Sequence, residues 1–263
     1  MATNAPRKRF GQHFLVDPSI IDRIIATIDP QAGDPMLEIG PGRGAITIPL
    51  MEKQVYLRVI ELDRDLYRDL EKLKQQYPRL EVLNQDALTL KLGNYTQDKL
   101  RVVGNLPYNI SSPLLFRMFE QGRFISDMVF MLQKEVVDRL CAKPGHRDYS
   151  RLSVMAQFYC ELERQFDVNA EAFYPPPEVT SAIVTLRPKP PAPDIDPVLF
   201  SRVVQKAFSQ RRKMLRNNLG NWLDDNNFDT LGIDPSKRAQ ELTLEAFKGI
   251  TRFVDKFVYK NDG

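Results

Sequence analysis

The sequence predicts an α/β fold, a mainly parallel sheet covered on both faces, with a small helical appendage at the carboxyl end. Three observations predict it. Short apolar strands alternate with helical segments between residues 36 and 132. The run Glu38-Ile39-Gly40-Pro41-Gly42-Arg43-Gly44 stands where the first strand gives way to a helix. The run Pro188-Lys189-Pro190-Pro191-Ala192-Pro193 interrupts the chain before a stretch that reads as helical to the end. The expected organisation is therefore a larger domain over 1–187, a stiff linker over 188–193 and a helical domain over 194–263.

Each element has its own signal. Apolar residues Ile20, Ile21, Ile24, Ile25 and Ile28 recur at helical spacing, with Asp17 as the cap and Pro18 at the first helical position. Strands are expected over 36–39, 55–60 (ending at Glu61), 80–84 (ending near Asp86), 100–104 (ending at Asn105) and 128–132. Helices are expected over 64–75 and 112–121. Beyond Arg151 the pattern shifts, and two further strands are read over 164–168 and 182–187. They flank the proline-rich Tyr174-Pro175-Pro176-Pro177.

Composition narrows the function. With 43% hydrophobic and 27% charged residues over 263 positions, the chain has the material for a packed core. The basic start, Arg7-Lys8-Arg9, is followed by no apolar stretch, and no run is long enough to cross a bilayer, so a cytoplasmic location is expected. Cys141 and Cys160 are too few for a disulfide framework, and no His or Cys stands beside them at ligand spacing, so no metal site is expected. The net charge of +3 is uneven: residues 187–263 carry 14 Lys/Arg against 10 Asp/Glu. A positive tail suits a polyanionic partner.

Glycines at a strand end let the backbone turn sharply and approach a ligand closely, and ligands of open α/β sheets bind at the carboxyl ends of strands. Alone, Gly40, Gly42 and Gly44 could instead form a plain tight turn. Glu61 ends the next strand, where a carboxylate can accept hydrogen bonds from both ribose hydroxyls of a nucleoside. Asp63 is close by, and strand geometry favours Glu61 for that role. Asp86 ends the third strand and can accept from an adenine amine, or simply cap a helix. Three successive strand ends bearing a glycine turn, an acid and an acid favour a nucleoside cofactor.

Asn105-Leu106-Pro107-Tyr108 follows the fourth strand. It resembles the (Asn/Asp/Ser)-Pro-Pro-(Tyr/Phe) signature of enzymes that methylate exocyclic amines of nucleobases, which favours S-adenosylmethionine over a dinucleotide. The lone pair of such an amine is delocalised into the ring and is a poor nucleophile. Acceptors holding both hydrogens favour a pyramidal nitrogen with its lone pair free. The Asn105 side-chain oxygen and the Leu106 carbonyl can be those acceptors, Pro107 stiffens the turn, and Tyr108 can stack on the base. Phe173, ahead of Pro175-Pro176-Pro177, is a candidate second stacking platform, or a core residue.

Taken in order, Gly11-Gln12-His13-Phe14-Leu15, the Glu38–Gly44 loop, Asn105–Tyr108 and Phe173-Tyr174-Pro175-Pro176-Pro177-Glu178-Val179-Thr180-Ser181 resemble the ribosomal RNA adenine dimethyltransferases, the bacterial small-subunit branch in particular. The resemblance covers nearly the whole chain. It implies a Rossmann-like class I S-adenosylmethionine-dependent methyltransferase domain followed by a small C-terminal α-helical domain. It also implies that Gln12, His13, Leu15, Gly40, Gly42, Glu61, Asp86 and Asn105 line the cofactor pocket. His13 stands where many members carry Asn, and both side chains can hydrogen-bond. The implied substrate is a pair of adjacent adenines near the 3′ end of 16S rRNA in the small ribosomal subunit, each dimethylated without metal by a monomeric enzyme with a role in subunit biogenesis.

Arg7, Lys8, Arg211, Arg212, Lys213 and Arg216 are the candidate RNA contacts, with Arg212 and Arg216 expected one turn apart on a helical face. A solvated basic face is the alternative. Three rival functions stand beside this reading: a large-subunit rRNA adenine methylase of the antibiotic-resistance type, a non-catalytic ribosome-assembly factor, and a small-molecule methyltransferase.

Overall fold

The computed structural model describes residues 13–259. The chain forms two compact units. Among the described residues, one contains those up to Val137 together with Cys160–Pro188, and the other contains Asp138–Tyr159 together with those from Lys189 onward.

The first unit is built on a seven-stranded sheet. In chain order its strands are β2 (Pro35–Ile39), β3 (Tyr56–Glu61), β4 (Leu80–Asn84), β5 (Leu100–Asn105), β6 (Ile125–Gln133), β7 (Cys160–Val168) and β9 (Ser181–Pro188). Their spatial order is β4-β3-β2-β5-β6-β9-β7. The five strands β4 to β6 in that order are parallel, while β9 runs antiparallel to both β6 and β7. The expected mainly parallel sheet is thus present, with its antiparallel part at one edge. Leu37, Val59, Val102, Val103, Met128 and Phe130 are almost wholly buried, each side chain contributing about 1.5–3 kcal/mol of transfer free energy.

The helices follow their local signals. Helix α1 (Pro18–Ile28) begins where Asp17 accepts the Ser19 N–H at 2.8 Å, with Pro18 in the first turn. It buries Ile24, Ile25 and Ile28, and it ends at Asp29, which adopts a left-handed conformation (φ 48°). Helix α2 (Thr47–Glu52) is short and follows the glycine turn. In helix α3 (Arg64–Leu73), Asp63 is the cap and Leu66 and Leu70 form the buried face. Helix α4 (Ser111–Glu120) follows β5 and buries Leu114, Leu115 and Met118.

Two strands of two residues each, β1 (Phe14–Leu15) and β8 (Phe173–Tyr174), pair antiparallel, with Phe14 opposite Tyr174 and Leu15 opposite Phe173. No sequence signal marks them.

The second unit is helical, as the tail predicts, but it begins earlier than residue 194. Residues 138–159, expected within the larger domain, cluster with the tail. The packing explains it. Helix α6 (Arg151–Tyr159) stacks Phe158 on Phe200 with centroids 4.0 Å apart, and the loop before it donates the Gly145 N–H to the Gln240 carbonyl at 2.8 Å. The boundary at 137/138 falls inside helix α5 (Lys134–Cys141), where no proline or glycine could announce it. Helices α7 (Pro197–Ala207), α8 (Leu215–Leu219), α9 (Asp225–Thr230) and α10 (Leu244–Val254) enclose a core that includes the fully buried Phe200, Phe228 and Phe247. Pro188 ends β9 instead of opening the linker.

The basic segment departs from its expected shape. Helix α7 stops at Ala207, residues 208–213 form turns, and α8 starts only at Leu215. Arg212 and Arg216 therefore do not share a helical face. The cause is buried Asn218, whose amide donates to the Ala207 carbonyl at 2.6 Å and the Gln210 carbonyl at 3.2 Å. These bonds satisfy the helix end and fold the chain back. Leu215 and Leu219 do pack inward, both fully buried.

Candidate active site

Strand β2 lies at the switch point of the sheet, with β3 on one side and β5 on the other. The carboxyl ends of β2, β3, β4 and β5 open into a cavity of about 170 Å³ in the first unit. Crevices of this kind hold ligands in open α/β sheets.

The floor is the glycine turn. Gly40 (φ +68°) donates its N–H to the Ile60 carbonyl at 3.0 Å, and a Cβ there would lie 3.3 Å from the Asn105 carbonyl oxygen. Gly42 (φ +58°) would place a Cβ 3.3 Å from the Phe14 ring. Both positions need the left-handed region, and a Cβ at either would crowd its neighbour by a few tenths of an ångström.

Three carboxyl groups expected from the sequence reach this cavity. Glu61, 8% exposed, accepts the Asp63 N–H at 2.8 Å and is also approached by the Gly42 N–H. Burial pushes its carboxyl above the ordinary range, against the pull of those N–H groups. Asp63 caps α3 by accepting the Asp65 N–H at 2.9 Å. That cap engages one oxygen of the Asp63 carboxylate in helix formation. Asp86 accepts the Leu88 N–H at 2.9 Å and so caps a 3-10 turn while lining the cavity.

A fourth carboxyl group, Glu38, escapes the sequence reading as more than the first letter of the loop. It is 1% exposed, lines the cavity, and accepts the Thr47 hydroxyl at 2.6 Å. Burial raises it to about 7, the Thr47 hydrogen bond opposing and the neighbouring Glu61 adding to the rise. An acid inside an otherwise apolar strand was the available signal.

The opposite wall is Asn105–Tyr108, directly after β5. The Leu106 N–H donates to the Met131 carbonyl at 3.1 Å, and the Pro107 carbonyl accepts the Ile110 N–H at 3.1 Å. The turn is thereby fixed at both ends. Tyr108 shares a hydrogen bond of 2.9 Å with Ser181, and burial raises its phenol, with that bond opposing. His13 stacks on Tyr108 with centroids 6.0 Å apart and an interplanar angle of 22°. Its Nδ1 lies 2.8 Å from the Pro175 carbonyl, an acceptor, so this nitrogen carries the proton. His13 and Leu15 both line the cavity, beside Phe14.

Of the two places the sequence left open to Phe173, a stacking platform or the core, the structure gives it the core. It is 3% exposed and belongs to the core beneath the sheet. The β1–β8 register turns Leu15 and Phe173 to one face and Phe14 and Tyr174 to the other. Phe173 thus offers no free face to a base, while Tyr174 is 60% exposed. Gln12, Arg7 and Lys8 lie outside the described residues. Arg211, Arg212, Lys213 and Arg216 are all exposed on the second unit. Among the described residues no group of His, Cys, Asp or Glu could hold a metal ion, and no helix is long and apolar enough to cross a membrane.

The cavity fits S-adenosylmethionine. The glycine backbone leaves the space a Cβ would fill, buried acids suit a ligand bearing ribose hydroxyls and positive charge, and Asn105 stands at its edge.

Residues 3–256 match the family model described as ribosomal RNA adenine dimethylase. The chain is similar to the ribosomal RNA small subunit methyltransferase A of Nitrosococcus oceani, 50% identical over 94% of this chain and 95% of that protein. It is as similar to the protein of the same name from Methylococcus capsulatus, 50% identical over 95% of this chain and 98% of the relative. Among solved structures it resembles a dimethyladenosine transferase from Plasmodium falciparum (TM-score 0.80, 27% identity, 93% of this chain and 98% of that one). It also resembles the 23S rRNA methyltransferase ErmE (TM-score 0.71, 25% identity, 92% and 99%).

Proposed function

The chain belongs to the ribosomal RNA adenine dimethylase family, and we propose that it dimethylates the exocyclic amines of two adjacent adenines near the 3′ end of 16S rRNA in the small ribosomal subunit. The observation that carries this reading is the Asn105–Tyr108 turn, pinned at the carboxyl end of β5 on the rim of the cofactor cavity. S-adenosylmethionine supplies a methyl group already activated by the sulfonium.

The chain's own residues do the rest. Asn105 Oδ1 and the Leu106 carbonyl accept the two amine hydrogens and stabilise the positive nitrogen as it forms, without reorganising in the process. Tyr108, held by Ser181 and backed by His13, presents its ring to the base. Gly40, Gly42, Glu61 and Asp86 hold the cofactor, with His13 and Leu15 closing the near side.

Four of the expected RNA contacts belong to the second unit. Arg211, Arg212, Lys213 and Arg216 stand in and after a turn that is tied to its surroundings. The Arg211 guanidinium donates to the Arg147 carbonyl, and the Leu215 and Arg216 N–H groups donate to the Lys237 and Pro235 carbonyls at 2.7 and 3.1 Å. The three basic loops so joined suit a phosphate backbone.

The test is methyl transfer from labelled S-adenosylmethionine to unmethylated small and large ribosomal subunits, followed by nucleoside analysis. Dimethyladenosine in the small-subunit RNA alone is the expected result. Label in the large subunit would replace this reading with the resistance-methylase one. Absence of label in both would leave an assembly role without catalysis, or methyl transfer to a small molecule.

A further inference from the structure

Three described aromatic side chains with large exposure stand out: Tyr56 at 55%, Tyr174 at 60% and Phe257 at 46%. Tyr56 begins β3, at the end of the sheet away from the cavity, and lies under the Arg79 guanidinium at 4.8 Å. Phe257 belongs to the second unit and carries Lys256 at 4.8 Å. Tyr174 differs in its position. It is the register partner of Phe14, so the two side chains share one face of the β1–β8 pair. Phe14 in turn is a wall of the cavity and lies against Gly42. Across the same Phe14 ring lies Arg43, exposed, with its Cζ 4.3 Å from the ring centroid. One buried phenylalanine therefore carries an exposed aromatic ring on one flank and an exposed guanidinium on another, beside the cavity. Val16, two residues along, is 50% exposed and extends the apolar surface.

A ring that can accept a base on its face and a cation that can accept a phosphate are the two halves of a nucleotide site. We infer that Tyr174, outside the cavity, and Arg43, at its rim, form a ledge that holds the nucleotide next to the target adenine, its base on Tyr174 and its phosphate on Arg43. The inference rests on the RNA substrate proposed above. Withdrawing a base from a structured loop costs stacking with both its neighbours, and a ledge that restacks the neighbour lowers that cost. Tyr174 does not line the cavity, so its part of the ledge acts on RNA binding and leaves the cofactor contacts alone. Tyr174 is thus a positioning residue for the substrate.

The test compares wild type, Tyr174→Ala, Tyr174→Phe and Arg43→Gln. Steady-state kinetics use unmethylated small ribosomal subunits, and calorimetry with S-adenosylmethionine is run on each variant. The loss of one stacked base corresponds to a rise in KM of about 5- to 150-fold. Tyr174→Ala should show a rise in that range, with kcat and cofactor affinity near wild type, and Tyr174→Phe should restore it. Arg43→Gln should raise KM for the subunits and make it less sensitive to salt. An unchanged KM in Tyr174→Ala overturns the ledge, as does a fall in cofactor affinity that marks the change as structural. Weakened cofactor binding in Arg43→Gln would assign that guanidinium to the cofactor and remove it from the ledge. If wild type itself fails to methylate small subunits, the proposed substrate is what fails.

Discussion

At the amino ends of β2, β5 and β6, Arg101 donates to Asp34 at 2.9 Å and to Asp127 at 3.0 Å, and its guanidinium also reaches the carbonyls that end α1. At the carboxyl ends of β2 and β3, Glu38 and Glu61 are buried among N–H groups and a hydroxyl, and burial holds both above the ordinary carboxylate range. Burial also raises Asp34, but there the Gln31 N–H and Arg101 outweigh it and hold the group low. The same sheet thus matches half-buried acids with a cation at one end and leaves buried acids wanting positive charge at the other. A structural end can satisfy itself. A ligand end keeps part of its electrostatic and hydrogen-bonding demand for something that arrives. S-adenosylmethionine, with its sulfonium and ammonium, suits that demand.

The sharpest way to test the contrast is to remove the group on the ligand end that we propose meets the reacting nitrogen. Asn105→Ala should lower kcat on small subunits by about 10²–10³, the value of one preorganised acceptor at a developing charge. Its melting temperature should stay within a few degrees of wild type, because the turn is held by Met131, Pro107 and Ile110 backbone groups and not by the Asn105 side chain. Turnover like that of wild type would take Asn105 out of the mechanism.

A change at the opposite end should do the reverse. Arg101→Ala leaves Asp34 and Asp127 partly buried without their cation, in a place where the guanidinium is only 18% exposed. Breaking a fully buried pair costs about 3–5 kcal/mol, and the partial exposure of this site reduces that to roughly 1–3 kcal/mol. Thermal unfolding should show the loss, while calorimetry of the surviving folded protein should give an unchanged affinity for S-adenosylmethionine. If affinity fell with stability, the two ends would not be separable in the way their charges suggest.

Much of the ligand end is legible in the sequence because its chemistry is forced by backbone geometry. Gly40 and Gly42 need positive φ at a strand end, and Asp17 caps a helix at the position its spacing implies. Other features left weaker traces or none. Helix α6 buries Leu152, Ser153, Val154, Met155 and Ala156 in succession, so it has no polar face to set a period. Helix α5, with Val136, Val137 and Leu140 buried, did carry a helical spacing. The β1–β8 pair is two residues long, and its register decides that Phe173 is core and Tyr174 surface, a matter of long-range pairing that no local pattern encodes. The break after α7 depends on Asn218, eleven residues beyond the carbonyl it binds.

Glu38 offers the finest probe of the contrast, through pH. Its carboxyl ionises at about 7 in the folded protein against 4.5 in an exposed chain. Below 4.5 both states hold the proton and the group has no effect on folding. Between 4.5 and 7 the unfolded chain gives up its proton and the folded one keeps it, so stability falls as pH rises, by at most about 1.4 kcal/mol per pH unit. Above 7 the loss is complete and level. The melting temperature of Glu38→Gln, minus that of wild type, should therefore climb from pH 5 to pH 7 and flatten beyond. S-adenosylmethionine should shrink that difference, since a cation beside Glu38 favours the ionised form. A difference that is flat across the range would mean that Glu38 is already compensated, and the ligand end would then be no more in want of charge than the end that Arg101 closes.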